Sequence, residues 1–163
     1  MLTGIAHTAI CVPNVEEAAK WYSEVLGMAV LSPPYLMEGD EIERDMGELI
    51  PRPVSLKAAI LGFGDDDRVL ELIEYPRVAR DSHAPATTDL TTPGLTHVGL
   101  TCDDIGATRA ILEERGVRFL TAGIAEIAGL RSTWFTDPWG VVFILLDKAH
   151  PHHPYWRQPR AGR

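Results

Sequence analysis

Two histidines, His7 and His97, occupy the same place in two copies of one sequence pattern. The run I-A-H-T-A-I-C-V-P-N-V-E-E-A-A-K-W-Y-S-E-V-L-G from Ile5 is answered from Leu95 by L-T-H-V-G-L-T-C-D-D-I-G-A-T-R-A-I-L-E-E-R-G. Each copy reads as a short alternating apolar strand carrying one histidine, then a turn, then an amphipathic helix ended by glycine. Equivalent histidines can meet around a pseudo-two-fold axis only if the halves pack face to face or edge to edge. Duplication is therefore an inexpensive route to a metal site, and it restricts the chain to a paired architecture.

The first copy opens with a strand over residues 5–12, on which Ile5, His7, Ala9 and Cys11 share one face. Pro13-Asn14 ends that strand and caps a helix over residues 15–26, with Val15, Ala18, Ala19, Tyr22, Val25 and Leu26 as its apolar stripe and Gly27 as its stop. A strand at 28–31 follows and ends before Pro33-Pro34. An acidic insertion at 37–49 has the composition of a short solvated helix or a lid. Residues 54–61 and 69–75 form a hairpin around Gly64-Asp65-Asp66-Asp67.

Residues 76–93, rich in proline and threonine, read as a linker between a first module at 1–75 and a second at 94–148. The second repeats the order: strand 95–101, helix 105–115, Gly116, strand 117–120, and a hairpin of 131–135 and 141–147 turned by Thr136-Asp137-Pro138-Trp139-Gly140. The histidines align at an offset of 90 residues, whereas the closing strands align at 73, which pairs Glu71 with Ile144. The insertion and linker of the first copy absorb the difference. The tail at 149–163 carries too much proline for regular structure and reads as loose, against the alternatives of chance metal chelation by His150, His152 and His153 or an ordered tail that covers the site.

The charge balance narrows the partners. A net charge of −8 without a basic patch argues against nucleic acid and anionic membrane, since an acidic surface repels phosphate. There is no basic leader and no apolar run near the roughly 18 residues a membrane helix needs, so a cytoplasmic location is expected. Cys11 and Cys102 are too few for a disulfide framework and are expected to be buried free thiols.

Glu71 lies inside the apolar run Val69–Tyr75, where an unpartnered carboxylate would cost several kcal/mol, on the order of a buried charge left uncompensated. Its face is shared by Val69, Ile73 and Tyr75; Glu74, on the opposite face, reads as a plain surface carboxylate. A lone histidine on an apolar strand is more often a hydrogen-bonded core residue than a ligand. Two at repeat-equivalent positions, with a strand glutamate available, match the two-imidazole, one-carboxylate set that holds Fe(II), Zn, Ni, Co or Mn with positions left open.

At these residues the chain resembles the vicinal oxygen chelate superfamily, which includes glyoxalase I, methylmalonyl-CoA epimerase, extradiol dioxygenases and bleomycin- or fosfomycin-resistance proteins. H-T-A-I-x-V-P-N-V-E-E-A-A-x-W-Y-x-x-V-L-G, L-E-L-I-E-Y-P, G-L-T-H-V-G-L-x-C-D-D-I and F-T-D-P-W-G carry the resemblance over residues 5–147. It implies an α+β fold of two βαβββ modules forming a curved mixed sheet around a divalent metal, usually in a homodimer. Position by position it makes His7, Glu71 and His97 the metal ligands. Ile144 departs from the pattern, standing where many members place a fourth, glutamate ligand.

That departure bears on the reaction. In glyoxalase-like chemistry the missing carboxylate also moves the substrate proton, so its loss counts against a lactoylglutathione lyase. The resemblance instead implies an isomerase or epimerase acting on a small oxygen-rich metabolite through a metal-stabilised enolate. Alternatives are an Fe(II)-dependent ring-cleaving dioxygenase and a non-catalytic drug- or metabolite-binding protein. Glu41, Glu43 and Glu126 are candidate bases, although each is also what a surface acid looks like. Arg131 and Trp134 are candidate substrate contacts, against a solvated hairpin end and a core residue respectively.

Overall fold

Asn14 and Asp104 start the two helices in the same way. The Asn14 carboxamide oxygen accepts the Glu17 N–H at 2.8 Å, and the Asp104 carboxylate accepts those of Gly106 and Ala107 at 2.9 and 3.1 Å. The computed structural model describes residues 1–78, 90–127 and 129–158. The chain divides into units Met1–Ala84 and Pro85–Arg163. Most of the expected linker, residues 79–89, lies outside the described residues, as does the end of the tail, 159–163.

The first unit contains β1 (His7–Cys11), α1 (Val15–Leu26), β2 (Ala29–Glu38), α2 (Asp40–Met46), β3 (Ser55–Gly62) and β4 (Val69–Glu74). Its sheet runs β1-β4-β3-β2, with β1 parallel to β4 and the other pairs antiparallel. Register places Ile10, Leu72 and Ala59 in one row and Leu70 beside Leu61, all buried, on the side away from Glu71. Helix α1 packs against β2, β3 and β4 with Val15, Ala18, Ala19 and Tyr22 buried. Burying each large aliphatic side chain contributes roughly 1.5–3 kcal/mol. Gly27 closes the helix at φ 75°, its N–H bonded to the Ser23 carbonyl at 3.1 Å.

Strand β2 corrects the expected end at Leu31: it continues through Pro33 and Pro34 to Glu38. It is an edge strand, and register shifts between Val30, Ser32 and Tyr35 accommodate the two residues that lack an N–H. The acidic insertion forms the short helix α2, none of whose residues is buried.

The second unit contains β5 (Val98–Cys102), α3 (Ile105–Glu114), β6 (Arg118–Phe119), β7 (Ala125–Ile127), β8 (Leu130–Thr136) and β9 (Val142–Lys148). Its sheet runs β5-β9-β8-β6, with β5 parallel to β9 and β7 also on β8. Phe135 and Phe143 stack in its core, with centroids 5.2 Å apart. The Asp137 carboxylate, buried in the β8–β9 turn, accepts the N–H groups of Trp139 and Val141 at 3.0 and 2.7 Å. Both units are thus mixed sheets with one long helix, in the α+β class. No helix among the described residues is long and apolar enough to cross a membrane.

Strand β7 has no counterpart in the sequence reading. Together with β6 it forms one interrupted edge on β8, and Arg109 of α3 fills the interruption. Its guanidinium donates to the carbonyls of Thr121 (3.0 Å) and Gly123 (3.2 Å), to Thr133 Oγ1 (2.6 Å) and to Glu113 (2.9 Å), and lies 4.3 Å from the Phe119 ring centroid. Carbonyls that turn away from β8 gain a charged donor in place of a strand partner. The tail also differs from expectation. Residues 155–157 form a 3₁₀ turn, and the buried Gln158 carboxamide accepts the His150 N–H at 2.8 Å while donating to the carbonyls of His150, His153 and Pro154 at 3.1–3.2 Å.

Arg109→Lys retains the charge but loses the planar fork, and should lower stability by about 2 kcal/mol. The exposed Arg118→Lys should stay within about 0.5 kcal/mol of the parent. Urea unfolding of both variants measures the difference.

Candidate functional site

Parallel pairing of β1 with β4 sets Ala9 opposite Glu71, which leaves His7 one diagonal step away on the same face. There the His7 Nε2 lies 3.1 Å from a Glu71 carboxylate oxygen, with the imidazole 47% exposed and the carboxylate 19%. The carboxylate expected to need compensation has it, from the opening-strand histidine. Two donors on adjacent sites of one divalent cation, each about 2.1 Å from it, lie about 3.0–3.4 Å apart, from octahedral to tetrahedral angles. The pair therefore fits an ion at two coordination positions as well as it fits an ion pair.

In the second unit His97 immediately precedes β5, rather than lying within a strand, and is exposed. Its Nδ1 is 2.8 Å from the Thr96 hydroxyl, and its ring meets Trp134 edge to face at 4.8 Å between centroids. When Nδ1 carries the hydrogen and donates to Thr96, the Nε2 lone pair is left for a ligand. Within neither unit do three His, Cys, Asp or Glu side chains gather closely enough to hold a metal, among the described residues. His7 and Glu71 come together in the first unit; His97 stands in the second.

Strand register reproduces the two sequence offsets. Ala9, Glu71 and Ile60 form one row across β1, β4 and β3, and Gly99, Ile144 and Trp134 form its counterpart across β5, β9 and β8. Glutamate in one copy is answered by isoleucine in the other, and the aliphatic Ile60 by the tryptophan that touches His97.

The other candidates are distributed as follows. Glu41 is exposed on α2. Glu43 fastens α2 to the start of β3: one carboxylate oxygen accepts the Val54 N–H at 2.5 Å and the other faces Arg52 at 3.4 Å. Glu126 is exposed on β7, across from Arg131. Arg131 is paired through its guanidinium with Asp147, whose side chain is nearly buried. Cys11 is exposed, contrary to the expected burial; Cys102 is partly covered, its S–H donates to the Leu146 carbonyl at 3.6 Å, and burial raises its pKa.

Glu74 corrects a second expectation. It is no plain surface acid, because its carboxylate accepts the N–H of Val15, the first residue of α1, at 2.9 Å. Asp147 does the same for Ile105, the first residue of α3, at 3.2 Å. An acid at the end of each closing strand thus ties down the N-terminus of each helix, where negative charge is favoured. The signal was present in the 73-residue alignment, which pairs Glu74 with Asp147.

Comparison with known proteins agrees with the fold. A family model described as the Glyoxalase/Bleomycin resistance protein/Dioxygenase superfamily matches residues 4–145. Among solved structures, a glyoxalase family protein from Bacillus cereus is similar at a TM-score of 0.74 and 18% identity, over 92% of this chain and 97% of that one. The antibiotic-binding protein TnmS3 from Streptomyces sp. CB03234 is similar at 0.58 and 21% identity, over 90% and 97%. A trypanothione-dependent glyoxalase I from Leishmania major is similar at 0.58 and 23% identity, over 90% and 87%. These likenesses show the fold. No curated protein matches the sequence.

Glu74→Ala should cost about 1 kcal/mol, as loss of a helix cap does. Glu71→Ala, whose partner is half-exposed, should change stability by less than about 0.5 kcal/mol. Thermal unfolding of the metal-free variants separates a carboxylate that fastens a helix from one that pairs with a half-exposed side chain.

Proposed function

Because the chain belongs to the glyoxalase/bleomycin resistance protein/dioxygenase superfamily, we propose that it is a divalent-metal-dependent enzyme that isomerises or epimerises a small oxygen-rich metabolite by proton transfer. The observation that carries this reading is the His7–Glu71 pair, an imidazole and a carboxylate at the separation that donors on one ion adopt. His7 and Glu71 would hold the ion with His97 as the third ligand, as the resemblance implies. A divalent cation held there would supply Lewis acidity toward a substrate carbonyl oxygen.

The chain's own groups divide the remaining work. Glu41 and Glu126 are exposed carboxylates open to serve as base, whereas Glu43 is engaged with Val54 and Arg52. Arg131 would meet an anionic substrate only by sharing its guanidinium with Asp147. Trp134, beside His97, offers an aromatic edge to an apolar part of the substrate and restrains the imidazole. Homodimerisation belongs to the same proposal.

A second reading has its own support. The Gly99–Ile144–Trp134 row presents an isoleucine and a tryptophan where the first unit presents Glu71 and Ile60. Apolar and aromatic lining suits a binder of drug-like molecules, and TnmS3 is an antibiotic-binding protein on this fold. Retention of the His7–Glu71 pair favours the enzyme.

Loss of a direct ligand should weaken metal binding at least as much as loss of an outer-shell partner, which costs about 10–100-fold. Glu71→Ala is therefore expected to reduce metal affinity at least about tenfold, and Glu74→Ala to leave it near the parent value. Equilibrium dialysis of the untagged variants against zinc, cobalt, nickel and iron(II) measures this. Equal retention by both would remove Glu71 from the site. Oxygen uptake by the iron-loaded protein would redirect the reading to a dioxygenase, and absence of bound metal after reconstitution would leave the binder.

A further inference from the structure

The turn that closes the described chain is built more firmly than its proline content suggests. One buried carboxamide, that of Gln158, makes four hydrogen bonds to the backbone of His150, His153 and Pro154. The His153 N–H bonds back to the His150 carbonyl at 3.0 Å, and the Lys148 ammonium donates to the Pro151 carbonyl at 2.6 Å. With its backbone held this way, the turn displays the exposed rings of His150 and His153 with centroids 5.8 Å apart and planes inclined by 55°.

We propose that this turn is a transition-metal site separate from the His7–Glu71 pair, with the imidazoles of His150 and His153 as its protein ligands and water completing the shell. An ion about 2.0–2.1 Å from a nitrogen of each ring, at a tetrahedral angle, holds two imidazole centroids about 5 Å apart. The observed separation of 5.8 Å lies within about 1 Å of that value. Residues 149–158 contain no carboxylate, so the side-chain ligands of the site are nitrogen only. That donor set suits zinc, copper or nickel and does not suit calcium or magnesium, which take oxygen ligands. Preorganisation is the reason to expect binding here and not at any two surface histidines: the clamp has already met the entropic cost of ordering the backbone.

The test uses the untagged full chain carrying Glu71→Ala, which keeps the His7–Glu71 pair out of the count. Equilibrium dialysis against zinc chloride should find a bound equivalent that becomes at least tenfold weaker in His150→Ala/His153→Ala. Gln158→Ala, which keeps both imidazoles but releases the turn, should weaken it about tenfold. Ring-nitrogen NMR of the Glu71→Ala protein should show zinc shifting the signals of His150 and His153. Zinc uptake unchanged by the double substitution, or zinc shifts confined to other histidines, would overturn the proposal. Undiminished affinity in Gln158→Ala would overturn the claim that the clamp builds the site.

Discussion

Parallel pairing of the opening strand with the closing strand is the constraint on which each unit depends. It brings residues more than sixty positions apart into one row, Ala9 with Glu71, and the Val12 N–H extends the ladder to the Ile73 carbonyl at 2.8 Å. Slipping β4 by one residue would turn Glu71 toward α1 and Leu72 toward the opposite face, exchanging a buried leucine for a buried carboxylate. The burial of Ile10, Leu70 and Leu72 thus fixes where the His7–Glu71 pair forms. Glu74 then secures the helix to the same strand end, so strand register and helix position are set together.

The two units share this framework and differ in what it displays. Equivalent rows read Ala9–Glu71–Ile60 in one and Gly99–Ile144–Trp134 in the other. The first pairs its histidine with a carboxylate; the second pairs its histidine with a hydroxyl and an aromatic ring. A duplicated scaffold can keep its structural anchors, Glu74 and Asp147 at the helix starts, while its exposed faces diverge. The anchors satisfy N–H groups that any helix end presents, whereas the faces carry no such obligation to the fold.

Much of this was legible in the sequence because it rests on periodicity. Alternation marked the face of the opening strand that carries His7 and the face of the closing strand that carries Glu71, and the capping residue Asn14 marked the start of the first helix. Legibility failed where a contact joins residues with no local pattern between them. Pro33 and Pro34 looked like the end of a strand, yet an edge strand tolerates them because its outer N–H groups need no partner. Nothing around Arg109 announced that its guanidinium would fill the break between β6 and β7, and nothing around Gln158 announced a clamp on the tail.

By itself, then, the chain's order of residues determined the duplication and the α+β class of its units. Each is written in the two-residue and 3.6-residue repeats that backbone geometry imposes on any strand or helix that buries one side. Only the tertiary structure decided which polar groups were spent on holding the fold: Glu43 on Val54, Glu74 on Val15, Asp147 on Ile105 and Arg131. Those side chains are chemically the same as any candidate base or substrate contact. What separates them is a partner distant in sequence, and such partners exist only once the strands have paired.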